Sequence, residues 1–469
     1  MATQVNLKND IYIGSTLAWC ETCKKSEFAR ISASNDGVFM QRVCSDKMPL
    51  PIKIAADYNW YIDRMKNPQT IEKIEPNCKS ENTCPLDCGL CEWHTSSIKL
   101  PVFSITNRCN LDCPICFTYN RSDVHYYKSV EDTKKILHHV FSKKEKKQIV
   151  NITGGEPTMH PQIKEILNAC NQTGIERVTM NTNGIKIAED PELAQMLKNA
   201  NVQPVLSLDT FDSEKSIIIH GKDISSHKRK TLQILEDLQI PTTILCVCIK
   251  GLNETDVADI VSTYLRKDFV KSITIQNMTF TGKNGSQFGP HEHITIDEIE
   301  QVLSEKSDFS KQDFFPLASY HPLCYSVAYY IVSNGKIIPM TKIIDKELLI
   351  KGTEGLYYLE PDNDITKSFI TGVNKLWAEG ADDDVIDELK QLMKSIHPTN
   401  ADITNDERKA ILEQKIKSIY IHAHMDADNF DVDRVSRCGD IVPDENGRMI
   451  PACSYNLLYR QQDTRFWIE

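Results

Sequence analysis

The sequence predicts an α/β protein built on a partial barrel of six βα units, with cysteine-rich segments on both sides. Three observations predict it. Strand-like and helix-like runs alternate from residue 99 to about residue 310, and repeated βα units imply a parallel sheet with right-handed crossovers. The strand-like runs end in polar residues, which is where such a barrel places its site. Sixteen cysteines in 469 residues gather in short-spaced groups, a pattern of metal ligands in a reducing compartment rather than of disulfides.

The elements follow in order. Residues 1–70 read as a small metal knuckle of rubredoxin or zinc-ribbon type: Cys20-Glu-Thr-Cys23, the strand-like Gly37–Val43, then Cys44. A hairpin with incidental cysteines is the competing reading. The fourth ligand is not evident, and Cys78 is one that can reach back. Residues 71–98 hold Cys78, Cys84, Cys88 and Cys91 within fourteen residues, too dense for core packing. The segment reads as an auxiliary iron–sulfur site, with Cys78 or a distant residue as fourth ligand.

From Lys99 the barrel pattern begins. Strands are expected at 100–106, 148–154, 177–182, 204–209, 242–249 and 272–278. Helices are expected at 129–142, 162–172, 191–199, 228–238 and 254–265. Ser129 opens the first helix among capping residues, and Asp190 with Pro191 marks the start of another. Residues 311–469 form a C-terminal region with His321-Pro-Leu-Cys324, a hairpin at Ser333–Lys336 and a charged, helix-rich stretch over 355–435. A turn at Asp444–Gly447 then places Cys438 and Cys453 on one hairpin. Cys324, Cys438 and Cys453 are candidates for a second auxiliary cluster, with buried free cysteine as the competing reading. Cys170, Cys246 and Cys248 read as core, with Cys248 the one of the three weighed as a ligand. His291 and His293 read equally as loop or site.

Composition narrows the function. Hydrophobic residues make up 41% and charged residues 25% of the chain, ordinary for a soluble globular protein. A net charge of −11 argues against nucleic acid as partner. The basic run Lys143–Lys147 reads as a solvated helix face. No run of 18 apolar residues suggests a transmembrane helix, and the first residues lack the apolar core of a signal peptide. A cytoplasmic location is expected.

The chemistry concentrates at Cys109-Asn-Leu-Asp-Cys113-Pro-Ile-Cys116 and, one βα unit later, Gly154-Gly155-Glu156-Pro157. Three cysteines at this spacing can hold three irons of a [4Fe–4S] cube and leave the fourth open for a substrate or cofactor. Together the motifs resemble the radical S-adenosylmethionine (SAM) superfamily. The resemblance implies a partial (β/α)6 TIM-like barrel. It also implies that SAM chelates the open iron and is cleaved by one electron to a radical that takes hydrogen from an unactivated C–H bond. It places Gly154, Gly155, Glu156 and Pro157 at the SAM amino group, where glycine allows backbone approach. Asn181 and Asn183 would touch ribose or carboxylate, and Ser207 and Asp209 would meet SAM or substrate. Strand-end capping is an equal account of those four. Gly251 and Asn253, in Lys250-Gly-Leu-Asn253, resemble an adenine-binding turn. Ile115 departs from the family, which often places an aromatic there, and Phe117 is its neighbour. No catalytic acid or base is assigned.

The order of motifs along residues 16–460 is similar to that of the family of the archaeal tetraether lipid synthase. That likeness implies a radical SAM enzyme forming a C–C or C–S bond on a small-molecule or lipid-like substrate. It implies one or two auxiliary [4Fe–4S] clusters, zinc or mononuclear iron at the knuckle, and a reductase such as flavodoxin or ferredoxin. Two positions depart from the pattern: Ser45–Met48 replace Pro-x-His-Gly, and Gly439 stands where a second cysteine is common. A peptide- or protein-modifying maturase and a non-catalytic electron-transfer protein are the alternatives. The SAM cradle argues against the second, because an electron carrier has no use for it.

Overall fold

A computed structural model describes residues 10–44, 49–67, 70–118, 125–141, 148–282, 285–288, 293–333, 335–360, 363–380, 383–396, 398, 403–444 and 447–465. Ser45–Met48, the run Lys143–Lys147, His291 and Asn334, with part of the 444–447 turn, lie outside them.

The N-terminal strands β1 (Ile11–Cys20), β2 (Lys25–Ser34), β3 (Gly37–Arg42) and β4 (Ile52–Ala55) make an antiparallel sheet in that order. The barrel expected from the sequence is present. Its strands are β5 (Leu100–Ser104), β6 (Ile149–Thr153), β7 (Arg177–Thr182), β8 (Val202–Ser207), β9 (Thr242–Cys248) and β10 (Val270–Asn277), each parallel to the next. β8 begins before Pro204, which pairs within the ladder opposite Met180. The sequence reading started that strand at the proline and so set it two residues late.

Alternation along these strands separates the two faces. Val150, Ile152, Val178 and Met180 enter the main apolar core, while Asn151, Thr153, Thr179 and Asn181 line an interior cavity. Cys170, Cys246 and Cys248 belong to that core. Helix ends follow the sequence signals: Asp190 accepts from the Glu192 N–H at 3.1 Å and Ser129 Oγ from Asp132 N–H at 3.0 Å.

The C-terminal region departs from the helix-rich reading of 355–435. Helices Asn363–Ala378, Asp383–Ile396 and Asn405–Lys415 are there, but a strand follows them. With β11 (Tyr325–Ser333) and β12 (Lys336–Pro339), this β13 (Ile416–His422) extends the barrel sheet beyond β10. β13 runs parallel to β10 and antiparallel to β11. Lys417 and Ser418 disguise β13 as surface. Both are buried, and Lys417 Nζ donates to the Lys267 carbonyl at 2.6 Å. At the other edge β14 (Asp440–Pro443) runs parallel to β5 and pairs with β15 (Met449–Pro451). Residues 311–469 thus supply strands to both edges of one eleven-stranded sheet.

Candidate active site and cysteine centres

The loop after β5 carries Cys109, Cys113 and Cys116, and the turn after β6 lies directly on it. Gly155 N–H donates to the Thr106 carbonyl at 2.8 Å and Glu156 N–H to that of Arg108 at 2.7 Å. A Cβ on Gly154 would stand 2.3 Å from Thr106 O, and one on Gly155 2.3 Å from Arg108 O. Gly154 also has φ +151°, a region L side chains rarely adopt. The collision that forbids a side chain at either glycine is therefore with the chain's own cysteine loop. Gly155→Ala is expected to displace that loop and lose most of the iron bound at the three cysteines. Iron and sulfide analysis after anaerobic reconstitution, against a Cys109/Cys113/Cys116→Ala control, measures it.

Glu156 is buried and its carboxylate is used within the fold. It accepts from Thr158 N–H and Oγ, Thr182 Oγ and Asn183 N–H at 2.7–3.2 Å. Burial outweighs these donors and holds its carboxyl above the usual range. Pro157 opens the short turn of helix after it. Asn183 Nδ2 donates to Asn110 Oδ1, inside the cysteine loop, at 2.6 Å. Two buried atoms there have no partner: Asn110 Nδ2 and Asn181 Oδ1. An unpaired donor and an unpaired acceptor beside the three cysteines fit a polar cofactor such as SAM.

Lys228 ties two strand ends together. Its buried ammonium donates to the carbonyls of Asn183 and Ser207 and to Ser207 Oγ at 2.5–3.0 Å. Asp209 is buried, accepts from Val247 N–H at 2.6 Å, and is pushed up to about 6 by burial. His220 stands between Asp209, at 3.4 Å, and Cys113 Sγ, at 3.8 Å. Burial pushes the Cys109 thiol up to about 12. Asn253 spends its side chain on the turn, bonding the Asp209 and Val247 carbonyls and Ile249 N–H, while Gly251 has φ +74°. Ile115 packs with Ile219, Ile249 and Met278, and Phe117 stacks on His424 at 5.7 Å.

The N-terminal cysteines lie differently. Cys20 ends β1, Cys23 sits in the turn to β2, and Cys44 follows β3. Cys20 Sγ and Cys23 Sγ stand 3.6 and 3.3 Å from Cys44 Sγ. Tetrahedral zinc with bonds of about 2.3 Å places its sulfurs about 3.8 Å apart, so the trio suits one mononuclear metal. Among the described residues no other three cysteines bring their sulfurs within 4.8 Å of one another.

Cys78 and Cys84 each lie close enough to Cys88 and Cys91 to interact with both electrostatically. Gly89 makes room for Cys78, since a Cβ there would be 2.9 Å from its sulfur. The segment is pinned to the C-terminus by Tyr459, whose hydroxyl accepts from Cys88 N–H at 2.9 Å and donates to the Pro85 carbonyl at 2.8 Å. Cys324, Cys438 and Cys453, from three separate segments, are likewise brought together. Arg434 lies against them: it hydrogen-bonds the Cys324 sulfur, and its buried Nε has no partner. An unpaired N–H of a guanidinium beside the buried Cys324 and Cys453 and the half-buried Cys438 fits an anionic cluster. At Gly439 a Cβ would stand 2.5 Å from Lys99 Cγ and 3.2 Å from the Tyr320 hydroxyl, which leaves no space for a further cysteine.

A cavity of about 800 Å³ fills the barrel and reaches Phe117, next to Cys116. Its wall carries several groups that sequence reasoning missed. Asp440 accepts from the Tyr320 and Tyr325 hydroxyls at 2.7 and 2.6 Å and lies 3.4 Å from His422 Nε2. Burial pushes its carboxyl up to about 6. Tyr325 stacks on His422 at 3.9 Å and His422 packs on His424 at 4.0 Å. The His-x-His pair at the end of an apolar run was the available signal, lost because β13 was not read as a strand. His293 pairs with Asp426 at 2.8 Å.

Among the described residues no helix is long and apolar enough to cross a membrane. Residues 103–263 match the family model described as the radical SAM superfamily. The chain is 27% identical to the 7,8-dihydro-6-hydroxymethylpterin dimethyltransferase of Methanocaldococcus jannaschii, over 95% of this chain and 94% of that protein. It is 30% identical to a probable GTP 3',8-cyclase of Pyrococcus abyssi, over 46% of this chain and 61% of that protein. Among solved structures, Streptococcus suis SuiB bound to S-adenosylmethionine superposes with a TM-score of 0.39 at 21% identity, over 47% of this chain and 49% of that one.

Proposed function

We propose that the chain acts as a radical SAM enzyme, the superfamily whose model matches residues 103–263, and that it forms a carbon–carbon bond on a small, polar heterocycle of the dihydropterin class. The observation that carries this is the end-to-end likeness to the pterin dimethyltransferase, which takes in the barrel and both flanking cysteine regions. The likeness to GTP 3',8-cyclases covers about half of the chain or less.

The family implies SAM and a [4Fe–4S] cluster, which Cys109, Cys113 and Cys116 would hold. Once bound, they supply one-electron cleavage of SAM and removal of hydrogen from an unactivated C–H bond. The chain's own residues position and enclose. Asn181 offers an unmet acceptor to SAM, while Lys228 and Glu156 lock the strand ends around it. Asn151, Thr179, Gln203 and Thr243 set polar groups among the apolar residues that line much of the cavity, such as Leu245, Ile344 and Phe369, a mixture suited to a flat heterocycle with several donors and acceptors. The four-cysteine segment and the Cys324/Cys438/Cys453 set would hold auxiliary clusters, and Cys20, Cys23 and Cys44 a single metal.

Reconstituted protein with dithionite and SAM, given in turn 7,8-dihydro-6-hydroxymethylpterin, GTP and a diacylglycerol lipid, tests the substrate class. The dihydropterin is expected to raise 5′-deoxyadenosine formation at least tenfold over no substrate. Stimulation by the lipid or GTP alone would overturn the reading.

A further inference from the structure

His424 stands between two sets of cysteines at the wall of the cavity. Its Nδ1 lies 3.8 Å from Cys453 Sγ. Its Nε2 lies 3.2 Å from the Gln276 amide nitrogen. Its ring is clasped between His422, at 4.0 Å, and Phe117, at 5.7 Å. The backbone is fixed as well, with His424 N–H donating to Asn277 Oδ1 at 3.0 Å and Met425 N–H to Cys453 Sγ at 3.4 Å.

These contacts decide which nitrogen carries the hydrogen. The Gln276 amide donates to Nε2, so a neutral ring keeps its hydrogen on Nδ1, facing the Cys453 sulfur. Two ligands on separate irons of a cube stand farther apart than 3.8 Å, so the distance suits an N–H···S bond and not a second ligand. Hydrogen bonds to cluster sulfurs stabilise the more negative, reduced state and raise its potential.

We propose that His424 is a positioning residue for the C-terminal cysteine centre, donating Nδ1–H to Cys453 Sγ and thereby raising the reduction potential of the cluster held there. The inference rests on the reading that Cys324, Cys438 and Cys453 hold an iron–sulfur cluster. It concerns electron supply or removal beside the cavity, not SAM cleavage itself.

The test is potentiometric EPR on the reconstituted full chain, following the signal lost in Cys438→Ala. In His424→Leu, iron content is expected to stay at the wild-type level while the midpoint of that signal falls. His424→Gln, which keeps an N–H donor, should move it back toward wild type. Pulsed EPR of the wild type with ¹⁵N-histidine should show the weak coupling of a hydrogen-bonded imidazole, a readout independent of any variant's folding. An unchanged midpoint in His424→Leu, or no ¹⁵N coupling, would overturn the proposal. A strong, directly bonded coupling would also overturn it by making His424 a ligand. If Cys438→Ala removes no signal, the cluster reading falls, and the inference with it.

Discussion

Replacing Cys109, Cys113 and Cys116 together by alanine is expected to abolish 5′-deoxyadenosine formation from SAM and dithionite, while the iron bound by the remaining cysteine groups is retained. The three cysteines share one loop, clamped by Gly155 and Glu156 through the Thr106 and Arg108 carbonyls. Their removal takes away every thiolate in that loop while leaving the clamp intact. The Cys78–Cys91 segment is held by the hydroxyl of Tyr459, from the helical segment that follows β15, rather than by that loop. Mass spectrometry scores the product, and iron analysis separates loss of one cluster from collapse of the protein. Residual product at more than about one hundredth of the wild-type rate would remove these cysteines from the site.

Lys228→Met should be the most damaging single change to stability. Two effects oppose one another. Burial lowers the Lys228 ammonium from its ordinary range to about 8, and a shift of that size costs the folded protein about 3 kcal/mol at neutral pH. Methionine removes that cost. It also strands three buried acceptors, the Asn183 and Ser207 carbonyls and Ser207 Oγ, at about 1–3 kcal/mol each. The second effect wins, with a net loss of about 3 kcal/mol. The sign with pH follows from the same shift. Between pH 8 and the unfolded value near 10.5 the unfolded chain binds the extra proton, so this group's contribution to stability rises with pH across that window and is flat below it. Anaerobic urea denaturation of wild type and Lys228→Met at pH 7 and pH 9.5 checks both: the stability gap between wild type and variant should widen at the higher pH.

The barrel was legible because parallel strands read as apolar runs of fixed length and end at glycine or polar punctuation, as in Ile149–Thr153 before Gly154-Gly155. The cysteine groups were legible because their spacing is short. The rest was hidden by burial of groups that look like surface. β13 escaped because Lys417 and Ser418 break its apolar run, although both are buried. Losing that strand also lost His422 and His424. Asp440, Arg434 and Lys228 are charges that only tertiary contacts show to be buried and used. β1 and β2 have long exposed stretches and no clean alternation, so only the cysteines at their ends stood out. The role of the paired glycines was visible as a need for close approach, but the partner, the backbone of Thr106–Arg108, is a contact between two loops that sequence spacing does not reveal.

The proposed function rests on removal of hydrogen from a carbon of a dihydropterin-class substrate. Carbon-deuterated 7,8-dihydro-6-hydroxymethylpterin, incubated anaerobically with reconstituted protein, reductant and unlabelled SAM, tests it most directly. Deuterium appearing in 5′-deoxyadenosine, together with a pterin product heavier by added carbon, is the predicted result. Turnover of SAM with no deuterium in 5′-deoxyadenosine and the pterin recovered unchanged would contradict it.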